Sequence, residues 1–143
     1  MNDSGIKTEQ LAMVNANWSK EFAENSIESL ILTYNGRIEA IISNNDAMAI
    51  GAVEALQKYG YNKEDKSKYV SVFGIDALLE AKDLIDNGYM MGTICHYPRS
   101  FAEGVYIIGM NLINNENPIE NANYKIQNGS IVIPISYQEY IEK

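Results

Sequence analysis

The sequence predicts an α/β protein built on an open, mostly parallel, doubly wound sheet with a C-terminal hairpin. Apolar runs of strand length alternate with helical patterns between Arg37 and Leu112. Strands joined through helices lie parallel in one sheet, with right-handed crossovers and helices covering it. Near the end, Asn128-Gly129 stands between two apolar runs, a strong hairpin signal. The length of 143 residues suits one domain with a single sizeable core.

Met1 to Thr8 carries no element of its own, and Glu9 to Val14 reads as a short strand. Trp18 follows in the loop Asn15 to Ser19. A helix comes next, with Phe22, Ala23, Ser26, Ile27, Leu30, Ile31 and Tyr34 on one face at helical spacing. Asn35-Gly36 stops it, because both residues tolerate a left-handed backbone. Arg37 to Ser43 is the next strand. Asn44 or Asn45 can cap the following helix, whose buried face is Ala49, Ala52, Val53 and Leu56, and Gly60 ends it. Tyr61 to Lys68 is a charged loop, Tyr69 to Phe73 a strand, and Leu78 to Asp86 a helix stopped at Gly88. Met91 to Cys95 is a strand. Pro98 suits the first turn of a last helix, with a stripe of Phe101, Val105, Ile108 and Leu112. Gly104 and Gly109 weaken that helix and suggest either close approach by another element or simple sequence drift. After a polar loop, Tyr124 to Ile126 and Ser130 to Ile135 form the hairpin, with Pro134 placing its second strand at an edge. Ser136 to Lys143 reads as a final helical turn.

The formal net charge of −8 disfavours nucleic acid and anionic membrane surfaces as partners. A single cysteine, Cys95, excludes an internal disulfide and reads as a packing group. The sequence has no transmembrane run and no apolar leader segment.

Three strand ends each carry polar side chains: Ser43-Asn44-Asn45-Asp46, Asp76 and His96. In open α/β sheets, ligands bind at the carboxyl ends of strands, so these make a rim for a polar ligand. Phosphate-cradling glycine motifs and nucleophile elbows are absent. Cys95 and His96 would face opposite sides of a strand, which rules out a nucleophile pair. Asp46, Asp76 and His96 could meet as acid and base, but nothing supplies a nucleophile or metal. Hydrogen-bonding side chains beside a tryptophan suit carbohydrate. Carboxylates and amides bond hydroxyls, and an indole covers the C–H face of a pyranose. Each residue also has a plainer reading: Asn45 and Asp76 as helix caps, Trp18 as a core anchor, His96 as a half-buried hydrogen-bonded group, and Glu39 as a surface polar residue.

Four runs bear on the choice: Gly5 to Leu11, Asn17-Trp18, Ile42 to Leu56, and Val72 to Leu78. Together, and in register, they resemble the second lobe of the galactose/glucose-binding proteins, the substrate-binding components of bacterial sugar ABC transporters. The similarity extends to the closing strands Tyr124 to Ile126 and Val132 to Pro134. The resemblance implies the periplasmic-binding-protein type I fold, with residues 1–143 as a partial C-terminal lobe and about 97–115 crossing back towards the first lobe. It implies no enzymatic activity. Trp18 would stack on the hexose, galactose or glucose, while Asn45 and Asp76 would bond its hydroxyls. His96 would bond it too, although the family usually carries Asn there. Glu39 would be one ligand of a structural calcium whose other ligands lie outside this chain. The resemblance also implies an ABC permease and a chemoreceptor as partners, and a periplasmic or extracellular location that allows a lipoprotein anchor. On this resemblance, the first lobe, most of the hinge, the first strand–helix unit of the second lobe and the calcium loop would lie outside these residues. Glu9 to Val14 would therefore lack its neighbour, and the stripe from Phe101 to Leu112 would lie open. The alternative is the effector domain of a LacI-type repressor, which shares the fold. No basic helix-turn-helix segment precedes the core, and Val72-Phe73-Gly74-Ile75-Asp76 follows the transport pattern.

Overall fold

The computed structural model describes residues 5–96 and 98–141. In chain order the elements are α1 (Lys20–Tyr34), β1 (Ala40–Ile42), α2 (Asp46–Lys58), β2 (Ser71–Ile75), α3 (Leu79–Asp86), β3 (Gly92–His96), α4 (Pro98–Ile113), β4 (Lys125–Gln127), β5 (Ser130–Val132) and β6 (Tyr137–Ile141). One sheet has the order β1-β2-β3-β6, and β4 with β5 forms a separate hairpin. β1, β2 and β3 are parallel, with Ile42 opposite Phe73 and Ile75 opposite Ile94. The expected open, mostly parallel sheet is the one found.

The chain divides into two compact units, Met1–Ile94 with Glu139–Lys143, and Cys95–Gln138. The first unit holds the core. Ile27 and Ile31 of α1, Val53 and Leu56 of α2, Val72 of β2 and Ile85 of α3 belong to one buried cluster. A fully buried side chain of this kind contributes about 1.5–3 kcal/mol. Helices α1, α2 and α3 thus pack on the face of the sheet that carries Val72 and Gly74. Ile42, Phe73 and Ile94, which alternation and register place on the other face, are exposed.

Local chemistry sets the boundaries. Ser19 caps α1 by accepting from the Phe22 N–H. Asn35 and Gly36 end it with φ of 41° and 82°, the left-handed stop expected of that pair. Gly51 lets α1 and α2 approach closely, since a methyl there would collide with the Lys20 carbonyl oxygen. Asn62 is fully buried in the loop after α2. Its side chain accepts from the Val70 N–H at 2.8 Å and donates to the Val70 and Tyr89 carbonyls at 2.8 and 3.0 Å.

Several expectations need correction. Glu9 to Val14 is not a strand. A strand needs a hydrogen-bonded neighbour, and β1 bonds on one side only, to β2. The segment is held instead by the Tyr34 hydroxyl, which donates to the Leu11 carbonyl at 2.5 Å. Phe22 is 60% exposed, so the buried stripe of α1 narrows to Ala23, Ile27 and Ile31. The end of the chain is strand β6 rather than a helical turn; residues 142–143 lie outside the description. The Tyr140 hydroxyl of β6 bonds the Asp86 carboxylate at 2.9 Å.

In the second unit, Pro98 opens α4. Gly104 does meet another element, with Ile133 and Tyr124 packed where its side chain would be, but Gly109 faces open space. Phe101, Val105 and Leu112 are exposed, so the stripe lies open. Asn128 and Gly129 form the hairpin turn, both with positive φ. No helix among the described residues is long and apolar enough to cross a membrane.

Candidate sugar-binding edge

Asn45 follows β1 by three residues and is the N-cap of α2. Its backbone is extended (φ −152°), and its Oδ1 accepts from the Met48 N–H at 2.9 Å. The capping reading is therefore correct. It leaves Nδ2 as the donor half of the amide.

Asp76 follows β2 directly. Its N–H donates to the Ile94 carbonyl at 2.9 Å, so the residue still belongs to the ladder with β3. It does not cap α3, whose N-cap is Leu78 with no side-chain hydrogen bond. Asp76 and Ala77 instead make a sharp turn, with φ of 119° and 57°. Neither residue type adopts such values readily. The Asp76 side chain is exposed.

Asp46 lies behind this turn and is fully buried. Its Oδ2 accepts from the Leu78 N–H at 2.7 Å, and its Oδ1 accepts from the Thr93 hydroxyl at 2.6 Å. Thr93 Oγ1 in turn accepts from the Ala77 N–H at 3.3 Å. The loops after β1 and β2 are tied together through β3. Asp46 is thus a structural carboxylate, sealed away from the acid–base trio considered from sequence.

Trp18 lies two residues before α1, with φ of 62°, and is 67% exposed. It is no core anchor. α1 and α2 run side by side in the same direction. Lys20 Nζ sits 2.9 Å from Glu54, while Lys58 Nζ sits 2.7 Å from both Glu24 and Glu28. Lys20 also reaches Glu80 in the first turn of α3, at 3.0 Å. The hydrogen bond to Glu54 is the chief cause holding the Lys20 ammonium above its ordinary pKa, with burial opposing it. A residue just ahead of α1 therefore lies towards the starts of α2 and α3, which follow the carboxyl ends of β1 and β2. Asn45 and Asp76 follow the carboxyl ends of β1 and β2, and Trp18 stands two residues ahead of the Lys20 that reaches Glu80.

His96 ends β3, half-buried, in the second unit. Glu39 is exposed at the amino end of β1, the opposite end from Asn45. Among the described residues, no group of three or more His, Cys, Asp or Glu could hold a metal ion. Calcium takes six to eight oxygens, so Glu39 supplies at most part of such a set.

Asn45 and Asp76 offer hydrogen-bond donors and acceptors, and Trp18 offers an exposed aromatic face. Residues 1–117 match the family model of the periplasmic binding protein domain. The chain belongs to the periplasmic binding protein family. The D-galactose/methyl-galactoside binding periplasmic protein MglB of Haemophilus influenzae is 32% identical over 135 residues, 94% of this chain and 39% of that protein. A periplasmic solute binding protein of Actinobacillus succinogenes, solved with bound D-allose, superposes with a TM-score of 0.65 at 30% identity, covering 76% of this chain and 37% of that one. A galactofuranose binding protein superposes with a TM-score of 0.68 at 15% identity, over 94% of this chain and 41% of its own, which is likeness of fold alone. This periplasmic binding protein chain therefore spans about two-fifths of the relative's length.

Sequence reasoning missed the roles of Asp46 and Asn62. The signal for Asp46 lay in Gly74 and Thr93, which face each other across β2 and β3. A side chain at Gly74 would strike Asp46 Oδ1.

Proposed function

We propose that the chain forms one wall of a sugar site in the substrate-binding component of an ABC transporter. What supports this reading is an exposed indole, Trp18, just ahead of α1, with Asn45 and Asp76 following the carboxyl ends of β1 and β2. The indole covers a sugar's C–H face, Asn45 Nδ2 donates to a hydroxyl, and the Asp76 carboxylate accepts from hydroxyls. His96, in the second unit, is a proposed hydroxyl ligand on the family resemblance alone. Galactose or glucose is the proposed ligand, supported by the galactose-binding relative. Binding involves no bond cleavage, so the protein is read as a carrier rather than an enzyme. A permease, and a chemoreceptor beside it, would read the closed two-lobed form, with the protein held outside the cytoplasm, free or lipid-anchored. Glu39 would join a calcium site only with oxygens from beyond these residues.

One wall offers a fraction of a complete site's contacts, so affinity should be weak, on the order of 1 mM or weaker. Saturation-transfer NMR with D-galactose, D-glucose and D-ribose tests the reading. Saturable transfer to a hexose should be lost in Trp18→Ala and sharply reduced in Asp76→Ala. Transfer unchanged in both variants, or none to any sugar, contradicts it.

A further inference from the structure

The geometry points to a positioning role for the buried pair Asp46 and Thr93: they hold the Asp76–Leu78 turn in its left-handed conformation, so that sugar affinity depends on two side chains that never touch the sugar. The inference rests on the reading of Asp76 as a sugar ligand. Three consecutive N–H groups after β2 have their partners set. Asp76 bonds the Ile94 carbonyl, Ala77 bonds Thr93 Oγ1, and Leu78 bonds Asp46 Oδ2. The Thr93 hydroxyl closes the chain of bonds by donating to Asp46 Oδ1.

The turn needs holding because Asp76 and Ala77 both have φ in the region that favours glycine, 119° and 57°. A non-glycine residue held there costs of order 1–3 kcal/mol and persists only where its surroundings over-determine it. Asp46 and Thr93 are those surroundings: both are buried, Asp46 accepts from the Leu78 N–H, and Thr93 accepts from the Ala77 N–H. Space has been cleared for the carboxylate too, since any side chain at Gly74 would strike its Oδ1. An ordinary first-turn acid on a helix needs neither burial nor such a gap. Releasing the turn lets Asp76 relax towards negative φ, which swings its carboxylate away from the position it takes at the edge.

The test is a double-mutant cycle of Thr93→Val with Asp76→Asn. D-galactose affinity is read by NMR titration, and thermal stability is measured on each variant. Valine keeps the shape of threonine and deletes both of its bonds. We expect Thr93→Val to weaken galactose about tenfold in the parent chain and no more than about twofold beside Asp76→Asn, while lowering stability equally in both. Thr93→Ser, which keeps the hydroxyl, should restore the parent affinity. Equal loss of affinity in both backgrounds, or parental affinity in folded Thr93→Val, overturns the inference. Should Thr93→Val not fold, Asp46→Asn replaces it, because an amide cannot accept both bonds that the carboxylate accepts. If Asp76→Asn leaves galactose binding intact, the ligand reading of Asp76 fails instead. The Ala77 and Leu78 amide resonances, which should shift in Thr93→Val if the clamp exists, then decide the clamp on its own.

Discussion

At the scale of single residues, the polar groups that matter most are those with every partner satisfied. Asn62 is fully buried and makes three hydrogen bonds that close the loop between α2 and β2. Replacing it by Ala strands one buried N–H and two carbonyls. Desolvated groups left unpaired cost about 1–3 kcal/mol each when nothing replaces the partner, so Asn62→Ala should lower stability by about 3 kcal/mol in a urea titration. A loss under about 1 kcal/mol would mean that water repairs the site. Neither Asn62 nor Asp46 was legible in the sequence as a structural group. A polar residue in a charged loop and an acid at a helix start look like solvated positions, and their burial is decided by backbone that arrives from distant strands. Asn45 was legible because capping is local chemistry. The turn at Asp76 was not, because its positive φ is imposed by Thr93 and Asp46 from outside its own segment.

Among elements, the crossing of α1 on α2 decides where Trp18 stands. Gly51 is the close point, against the Lys20 carbonyl. Gly51→Ala should force the helices apart, cost about 1–3 kcal/mol and shift the Trp18 fluorescence. Gly109 on α4 faces open space, so Gly109→Ala should stabilise by about 0.5–1 kcal/mol. Thermal melts of the two variants should move in opposite directions; movement in the same direction would contradict the packing described here. The Lys20 ion pairs add a pH dependence at the same junction. The folded-state pKa lies above the ordinary 10.5, so this contribution is complete below that value and fades as pH rises past it. Lys20→Met should flatten the alkaline part of the stability profile, and an unchanged slope would show that the pairs contribute nothing. Most elements could be read from sequence, since helix stripes and stop signals are local. Strand Glu9 to Val14 failed for the opposite reason: its pattern was sound, but a strand exists only with a neighbour to bond. Strand β6 was likewise hidden, because Tyr137 to Ile141 becomes a strand by joining the sheet beside β3.

For the whole molecule, burial is uneven. The fully buried apolar side chains, Val53, Leu56, Val72 and Ile85 among them, lie in the unit Met1–Ile94. In Cys95–Gln138 the buried residues of α4 are only Gly104 and Asn111. Amide exchange should therefore be slowest in α2 and β2 and distinctly faster along α4, because opening free energy follows buried apolar contact. Uniform protection across both units would contradict this. The net charge of −8 does not oppose the approach of a neutral ligand such as the proposed sugar. The proposed grip is that of three side chains, Trp18, Asn45 and Asp76, on one sugar. Its most direct measurement is a residue-resolved NMR titration of the chain with D-galactose. The Trp18 indole N–H, the Asn45 side-chain amide and the Asp76 backbone amide should shift together along one saturation curve. Shifts confined to other surfaces, or following separate curves at these three groups, would contradict it.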